Sequence, residues 1–365
     1  MGKNISIISS YDFVKYEVNY GSVFQYYALQ RFLSNRGHRV QWIRYVNKRS
    51  IKRKLIEEFH RYARGNYVNN KICLFKIHDF IDRYLTLTQR ECSSKEEIQK
   101  ECSESEFLIT GSDQVWGGAI AANFLTFATD DQITLSYAAS FGKKMLDQQT
   151  LDIITPWLTK IDYISVREAS GQDICCHLGR TDAILVPDPT LLIDKEDYPL
   201  KKSTKSEPYI FGYFLNISNG EAIPCWEIEK AMEERYPNEK LVSCIASGTK
   251  YIPPLLKRTR IYPSPERWLE SYKNATAILT NSFHGTVFAL VFRKPFVVFL
   301  QNGKTSEQND RIVNLLTEFD LLDRIYEKDG DIFKILNKPI DWIKISKSME
   351  EQREKAIKYF EKVGL

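Results

Sequence analysis

Residues 200–207 read Leu200-Lys201-Lys202-Ser203-Thr204-Lys205-Ser206-Glu207, a polar, small and charged run between two stretches of alternating strand and helix signal. A linker at 201–207 divides the chain into a first domain over 1–200 and a second over 208–340. At 365 residues the chain is long enough for two domains, each with a sizeable core. Upstream, Ile5–Ser9 reads as a buried strand, and Gly21–Asn35 has apolar residues at 23, 24, 27, 28, 29, 32 and 33, a helical stripe. Gly37 closes that helix before a strand at Val40–Arg44. Residues 45–105 are charged and aromatic and read as a helical insertion. Phe107–Thr110, Thr134–Ala138, Tyr163–Val166 and Ala183–Val186 then read as short strands, each followed by polar or turn residues.

Downstream of the linker the alternation repeats. Strands are predicted at Tyr209–Leu215, Leu241–Ile245, Thr276–Thr280 and Phe296–Leu300, with helices at 220–235, 265–273 and 285–292 between them. Ser264-Pro265-Glu266 supplies an N-cap residue, a proline at the first helical position and an acid in the first turn. A last helix over Ser348–Val363, within a terminal segment 341–365, carries Met349, Ala356, Ile357, Phe360 and Val363 on its apolar side. The fold class is α/β: two doubly wound domains facing each other across a cleft. Open parallel sheets bind ligands beyond the carboxyl ends of their strands, so the chemistry belongs in that cleft.

Composition removes several function classes. With 43% hydrophobic residues the chain is not disordered, and no run reaches the 18 or so apolar residues of a membrane span. The N-terminus is too short and polar for a secretory signal, and a cytoplasmic location is expected. Seven cysteines without CxxC spacing and five histidines without an HExxH or HxH cluster argue against a metal centre or a disulfide framework. The net charge of +4 is local. Lys48–Arg64 holds seven basic residues against Glu57 and Glu58, so the rest of the chain sums to −1. That run reads as a solvated helix face or as a contact with anionic lipid at the inner face of a membrane; no nucleic-acid module accompanies it.

Several strand ends carry residues that a scaffold alone does not ask for. In Thr110-Gly111-Ser112-Asp113-Gln114-Val115-Trp116 a glycine turn projects Ser112, Asp113 and Gln114 into the crevice, unless Asp113 only caps the next helix. Arg167, in Ser165-Val166-Arg167-Glu168, has the planar fork that suits a carboxylate or phosphate, or else pairs with Asp188 or Glu168. Val186-Pro187-Asp188-Pro189-Thr190 reads as architectural, with Asp188 as a cap or brace. Asn19-Tyr20-Gly21-Ser22 opens a helix whose backbone N–H groups attract anions, with no dinucleotide or P-loop signature. The sharpest feature is Thr280-Asn281-Ser282-Phe283-His284-Gly285-Thr286. There Ser282 is an N-cap, Gly285 leaves the backbone open, and His284 is placed to exchange a proton with a bound acid. Packing alone is the other reading of His284. Lys304, Ser306 and the Asp310-Arg311 pair follow on a loop after the last apolar strand.

Taken in order, these motifs resemble the polysaccharide pyruvyl transferase family: Asn19-x-Gly21, Gly111-Ser112-Asp113-Gln114-x-Trp116, Ser136–Gly142, Ser165–Glu168, Pro187–Thr190, Ser282–Gly285 and Lys304. The resemblance implies a GT-B-like fold with a C-terminal helix returning to the first domain. It also implies an enzyme that moves pyruvate from phosphoenolpyruvate onto a sugar, commonly as a ketal, with release of phosphate. The acceptor it implies is a lipid-linked unit of a surface polysaccharide, with O4 and O6 of galactose as the bridged pair, and no further cofactor. His284 would then be the acid/base. Arg167 and Lys304 would hold the donor, with Ser282, Gly285 and Arg311 beside it. Asn19, Gly21, Ser112, Asp113 and Gln114 would line the acceptor side. Many relatives carry arginine where this chain has Ser282, so a donor cation must come from elsewhere, Arg293 or Arg311. Two alternatives are a glycosyltransferase of the same architecture using a nucleotide sugar, and a non-catalytic sugar- or phosphate-binding protein.

Overall fold

The computed structural model describes residues 2–47, 67–201, 207–246, 248–303, 306 and 309–365. The basic run Lys48–Arg64, most of the linker and Lys304 lie outside the described residues. The first half runs β1 (Asn4–Ile8), α1 (Tyr11–Tyr16), α2 (Tyr20–Asn35), β2 (Arg39–Tyr45), α3 (Tyr67–Tyr84), β3 (Leu87–Cys92), α4 (Lys95–Glu101) and β4 (Phe107–Asp113). It continues with β5 (Ile133–Ala139), α5 (Gln148–Leu158), β6 (Ser165–Val166), α6 (Ala169–His177) and β7 (Ile184–Leu185). The second half runs β8 (Tyr209–Phe214), α7 (Cys225–Arg235), β9 (Lys240–Ile245), α8 (Pro254–Arg258), α9 (Pro265–Asn274), β10 (Ala277–Thr280) and α10 (Phe283–Val291). Then come β11 (Phe296–Val298), α11 (Asn309–Glu318), α12 (Ile332–Asn337) and α13 (Trp342–Val363).

All strand pairings between these elements are parallel. The first sheet has the order β3-β2-β1-β4-β5-β6-β7 and the second β11-β10-β8-β9. Strand order therefore reverses between β1 and β4 in one sheet and between β8 and β10 in the other. Parallel strands covered on both faces must be apolar throughout, and β10 is buried at all four positions. The protein is an α/β chain of two Rossmann-like, doubly wound domains facing across a cleft in the GT-B manner. The C-terminal helix α13 lies on the first domain. Phe360 stacks on Tyr137 with centroids 4.8 Å apart, and the Tyr359 hydroxyl donates to the Ser136 carbonyl at 2.7 Å.

One expectation needs correction. Residues 45–105 are not helical throughout, because Leu87–Cys92 forms β3, the edge of the first sheet. Its Gln89-Arg90-Glu91 centre is exposed and only Thr88 and Cys92 are buried. An edge strand with charged residues outward resists further pairing but loses the apolar alternation that would betray it. The helix predicted over 220–235 also starts later, at Cys225.

The two domains share a core. Tyr20 of α2 stacks on Trp268 of α9, with centroids 5.5 Å apart and ring planes 6° apart, and its hydroxyl donates to the Pro263 carbonyl at 2.8 Å. Phe24, one turn on, packs against Trp268, Phe288 and Tyr198. These rings belong to one continuous buried cluster that spans both sheets. Arg83 of α3 adds an ion pair at 2.7 Å to Glu266 of α9, whose side chain is buried. Relative domain motion is the ordinary expectation unless the interface is large and apolar, and here it is apolar.

Candidate active site

A cavity of about 400 Å³ lies between the domains, at the carboxyl ends of the strands where both sheets reverse order. The first domain contributes Ser10 after β1, Glu17 and Asn19 before α2, and Asp113 and Gln114 at the end of β4. The second contributes Leu215 and Asn216 after β8, Gly248 after β9, and Ser282, Phe283 and His284 after β10. Gln301 and Arg311 close the wall.

The strand-to-helix turn after β10 is tightly held. Asn281 bonds both ways to the backbone of Leu215, through Oδ1 at 2.9 Å and Nδ2 at 2.8 Å, tying the ends of β8 and β10 together. Ser282 caps α10 by accepting from the Gly285 N–H at 3.3 Å. A Cβ at Gly285 would lie 2.1 Å from Thr280 Oγ1, so this glycine serves the close packing of helix on strand rather than a ligand. Ahead of that capped group, the N–H groups of Phe283 and His284 have no carbonyl inside the helix, and both residues line the cavity, where negative charge is favoured.

His284 is buried among residues of the other domain. Its Nε2 faces Asp188 Oδ2 at 3.6 Å, too long for a hydrogen bond. A Cβ on Gly21 would fall 2.3 Å from His284 Nδ1 and 2.4 Å from its Cγ, so only glycine fits beneath the ring. Gly21 therefore makes room for the histidine. Asn19 caps α2, accepting from the Ser22 N–H at 3.2 Å, and the Ser22 hydroxyl donates to Asp113 Oδ2 at 2.7 Å. Asp113 also accepts from the Gln114 N–H at 2.9 Å and sits at φ 85°, so it is both a turn residue and part of the wall. Burial pushes its carboxyl up, but Arg167, His284, the Ser22 hydroxyl and Arg311 together hold it below the usual range.

Asp188 is the hub that the sequence presented as a brace. Oδ2 accepts from Gln25 Nε2 and from Arg167 Nη1, each at 2.6 Å. Oδ1 accepts from the Thr190 N–H at 3.0 Å and hydroxyl at 2.5 Å. Burial alone would raise its pKa, yet His284, Arg167 and Thr190 hold it well below the carboxylate range. Arg167 pairs with Asp188 and, through Nε, with Glu168 at 3.0 Å, so the ion-pair reading of its motif is the one seen. Its Nη2 and the Arg311 Nε are buried without a hydrogen-bond partner, and both guanidinium groups lie within 6 Å of the Phe283 ring. Burial and the neighbouring Arg167 lower the pKa of Arg311.

Two expected residues stand elsewhere. Ser112 is buried behind the wall: its hydroxyl accepts from Gln25 and donates to the Ala138 carbonyl at 3.0 Å, and its own carbonyl accepts from Ser9. It braces α2 against the sheet instead of meeting an acceptor. Arg293 turns away, donating to Ser346 of α13 at 2.9 Å, which leaves Arg311 as the cation on the wall among the described residues. Lys304 lies outside the described residues. Gln25 and Asp188 were missed as site residues; proximity to Gly21 and the Pro-Asp-Pro rigidity were the only signals available.

No curated protein matches the chain by sequence. Among solved structures, the UDP-GlcNAc 2-epimerase of Methanocaldococcus jannaschii, in complex with UDP-GlcNAc and UDP, is similar at 16% identity and a TM-score of 0.50. The match covers 98% of this chain and 99% of that one. A structure described as a UDP-N-acetylglucosamine 2-epimerase from Listeria monocytogenes is similar at 8% identity and a TM-score of 0.53, covering 97% and 91%. At these identities the likeness concerns the fold. The family model of polysaccharide pyruvyl transferases matches residues 19–302, a span running from the α2 cap through the His284 turn to the loop after β11. The chain belongs to the polysaccharide pyruvyl transferase family.

Proposed function

We propose that the protein transfers pyruvate from phosphoenolpyruvate to two hydroxyls of a sugar, forming a cyclic ketal and releasing phosphate. The acceptor is a lipid-linked precursor of a surface polysaccharide. The observation that carries this reading is one cavity lined by a buried histidine, the start of α10 and the Arg311 guanidinium, whose Nε is buried with no hydrogen-bond partner. Unpaired buried donors are costly, and an anion with several oxygens is the ligand that satisfies them.

The residues fit the chemistry asked of them. Arg311 and the N–H groups of Phe283 and His284 meet the donor's carboxylate and phosphate, while Arg167 braces the wall behind them through Asp188 and Glu168. His284, acting as general acid, gives a proton to the methylene carbon, and C2 becomes oxocarbenium-like. A sugar hydroxyl adds to C2 and returns a proton to the imidazole. The C2–O bond to phosphate breaks, and the second hydroxyl closes the ketal as its proton leaves with phosphate. Asn19, Asp113, Gln114 and Asn216 offer hydrogen-bond partners for sugar hydroxyls. Among the described residues no helix is long and apolar enough to cross a membrane. Peripheral contact through the basic run Lys48–Arg64 would bring the enzyme to a lipid-linked acceptor at the inner face of the plasma membrane.

The test is incubation of the purified protein with phosphoenolpyruvate and candidate lipid-linked sugars, read by mass spectrometry and phosphate release. Phosphate in step with a pyruvylated sugar supports the reading. Transfer from a nucleotide sugar instead, or binding without turnover, overturns it.

A further inference from the structure

His284 belongs to the second domain, yet the groups that fix its ring belong to the first. Asp188 faces Nε2, Gly21 lies under the ring, and Gln25 and Arg167 hold Asp188 in place. We propose that Asp188 is a positioning residue that holds neutral His284 as the Nε2-protonated tautomer, so that protons are exchanged with substrate through Nδ1. This deepens the reading of His284 as the acid/base and rests on it.

Three observations carry the inference. First, Nε2 is buried and has no hydrogen-bond partner, while the residue lines the cavity. The nitrogen that meets substrate is then Nδ1. Second, four donors at 2.5–3.0 Å fix both oxygens of Asp188 and keep it ionised. A bare imidazole lone pair turned toward that carboxylate is repelled, whereas an N–H is attracted, so the proton sits on Nε2. Third, the ring cannot turn freely to exchange its nitrogens, because the Gly21 backbone lies so close that even a Cβ would overlap Nδ1, Cγ and Cβ. Asp188 and Asp113 face the ring, Arg167 pairs with Asp188 behind it, and Glu17 and Arg311 line the same cavity. The acid/base centre is thus complete only with the domains docked, and the Tyr20–Trp268 and Phe24–Phe288 contacts keep them docked.

The experiment is nitrogen NMR of the full chain labelled with ¹⁵N-histidine, with the His284 signals assigned by their loss in His284→Gln. The expected result is a protonated Nε2 and an unprotonated Nδ1 in the neutral ring, with Nδ1 the signal that moves on adding phosphoenolpyruvate. A neutral ring carrying its proton on Nδ1 would overturn the proposal. Asp188→Asn should shift the tautomer toward Nδ1–H; because that variant leaves donors facing donors and can fail to fold, Gly21→Ala is the second arm. The added methyl must displace the buried ring, so the variant should melt below the wild type while the helix start, which tolerates alanine, lets it fold at assay temperature. It should lose about 100-fold in kcat, the effect of misplacing a reacting group by an ångström, with donor KM little changed. A folded Gly21→Ala protein with wild-type kcat refutes the positioning role. The expected tautomer without phosphate release from phosphoenolpyruvate would fault the donor assignment instead, so the two failures are distinguishable.

Discussion

Replacing Arg167 by alanine should unfold the site before it weakens any ligand. The side chain is 3% exposed, and its partners Asp188 and Glu168 are 1% and 6% exposed, so water cannot replace the lost cation. Removing one partner from a buried ion pair costs about 3–5 kcal/mol, because the other charge stays buried and unpaired. Spread over 365 residues, that loss lowers the melting temperature by roughly 4–7 °C. The pH dependence sharpens the test. In the wild type the depressed Asp188 and Asp113 carboxyls contribute stability above the unfolded pKa of about 4, and this is lost only as pH falls through their lower folded values. Wild-type stability should therefore change little on their account between pH 7 and 5. In Arg167→Ala, losing the guanidinium raises the folded pKa of Asp188 from its depressed value, while His284 and Thr190 still hold it down. The variant then has less carboxylate stabilisation to lose on acidification than the wild type. Denaturant unfolding followed by circular dichroism should show the same deficit at pH 7 and pH 5, and a narrowing one as pH falls below about 4. A deficit under about 1 kcal/mol at pH 7 would refute the reasoning and return Arg167 to the role of a free donor-binding cation.

Arg311→Ala should behave in the opposite way. Losing one charge-assisted contact of about 1.5–3 kcal/mol raises the donor KM by roughly 10- to 150-fold, with little change in melting temperature, as steady-state kinetics and a thermal scan can show. Trp268→Ala should cost about 3–5 kcal/mol, since its side chain is wholly buried between α2 and α10. The two domains should still unfold in one transition in that variant; separate transitions by fluorescence and circular dichroism would contradict a shared core.

Much of the fold was legible because parallel strands covered by helices on both faces must be apolar along their length. Ile5–Ile8 and Ala277–Thr280 are such strands, and the helix starts at Asn19, Ser264 and Ser282 carry capping side chains in sequence. β3 was not legible, because an edge strand exposes Gln89, Arg90 and Glu91. At the site, Ser282 and His284 could be placed from local order alone. Asp188 could not, because what distinguishes a brace from a positioning carboxylate is the ring it faces across the domain boundary. Gly21 was read as an anion-binding helix start for the same reason. Gly285 and Ser112 looked like ligand-facing residues, but their tight packing is against Thr280 and against Gln25 with Ala138. Spacing in sequence does not show which way a short side chain, or the missing Cβ of a glycine, points.

On the proposed mechanism His284, in this cavity, moves the proton that turns phosphoenolpyruvate into an electrophile for a sugar. The most direct measurement compares phosphate release from phosphoenolpyruvate, matched to pyruvylated sugar by mass spectrometry, for wild type and a folded His284→Gln variant that still binds the donor. The wild type should release phosphate stoichiometrically, and the variant should lose about 100- to 10,000-fold in kcat, the range of acid–base groups. Equal turnover by the two proteins would contradict it.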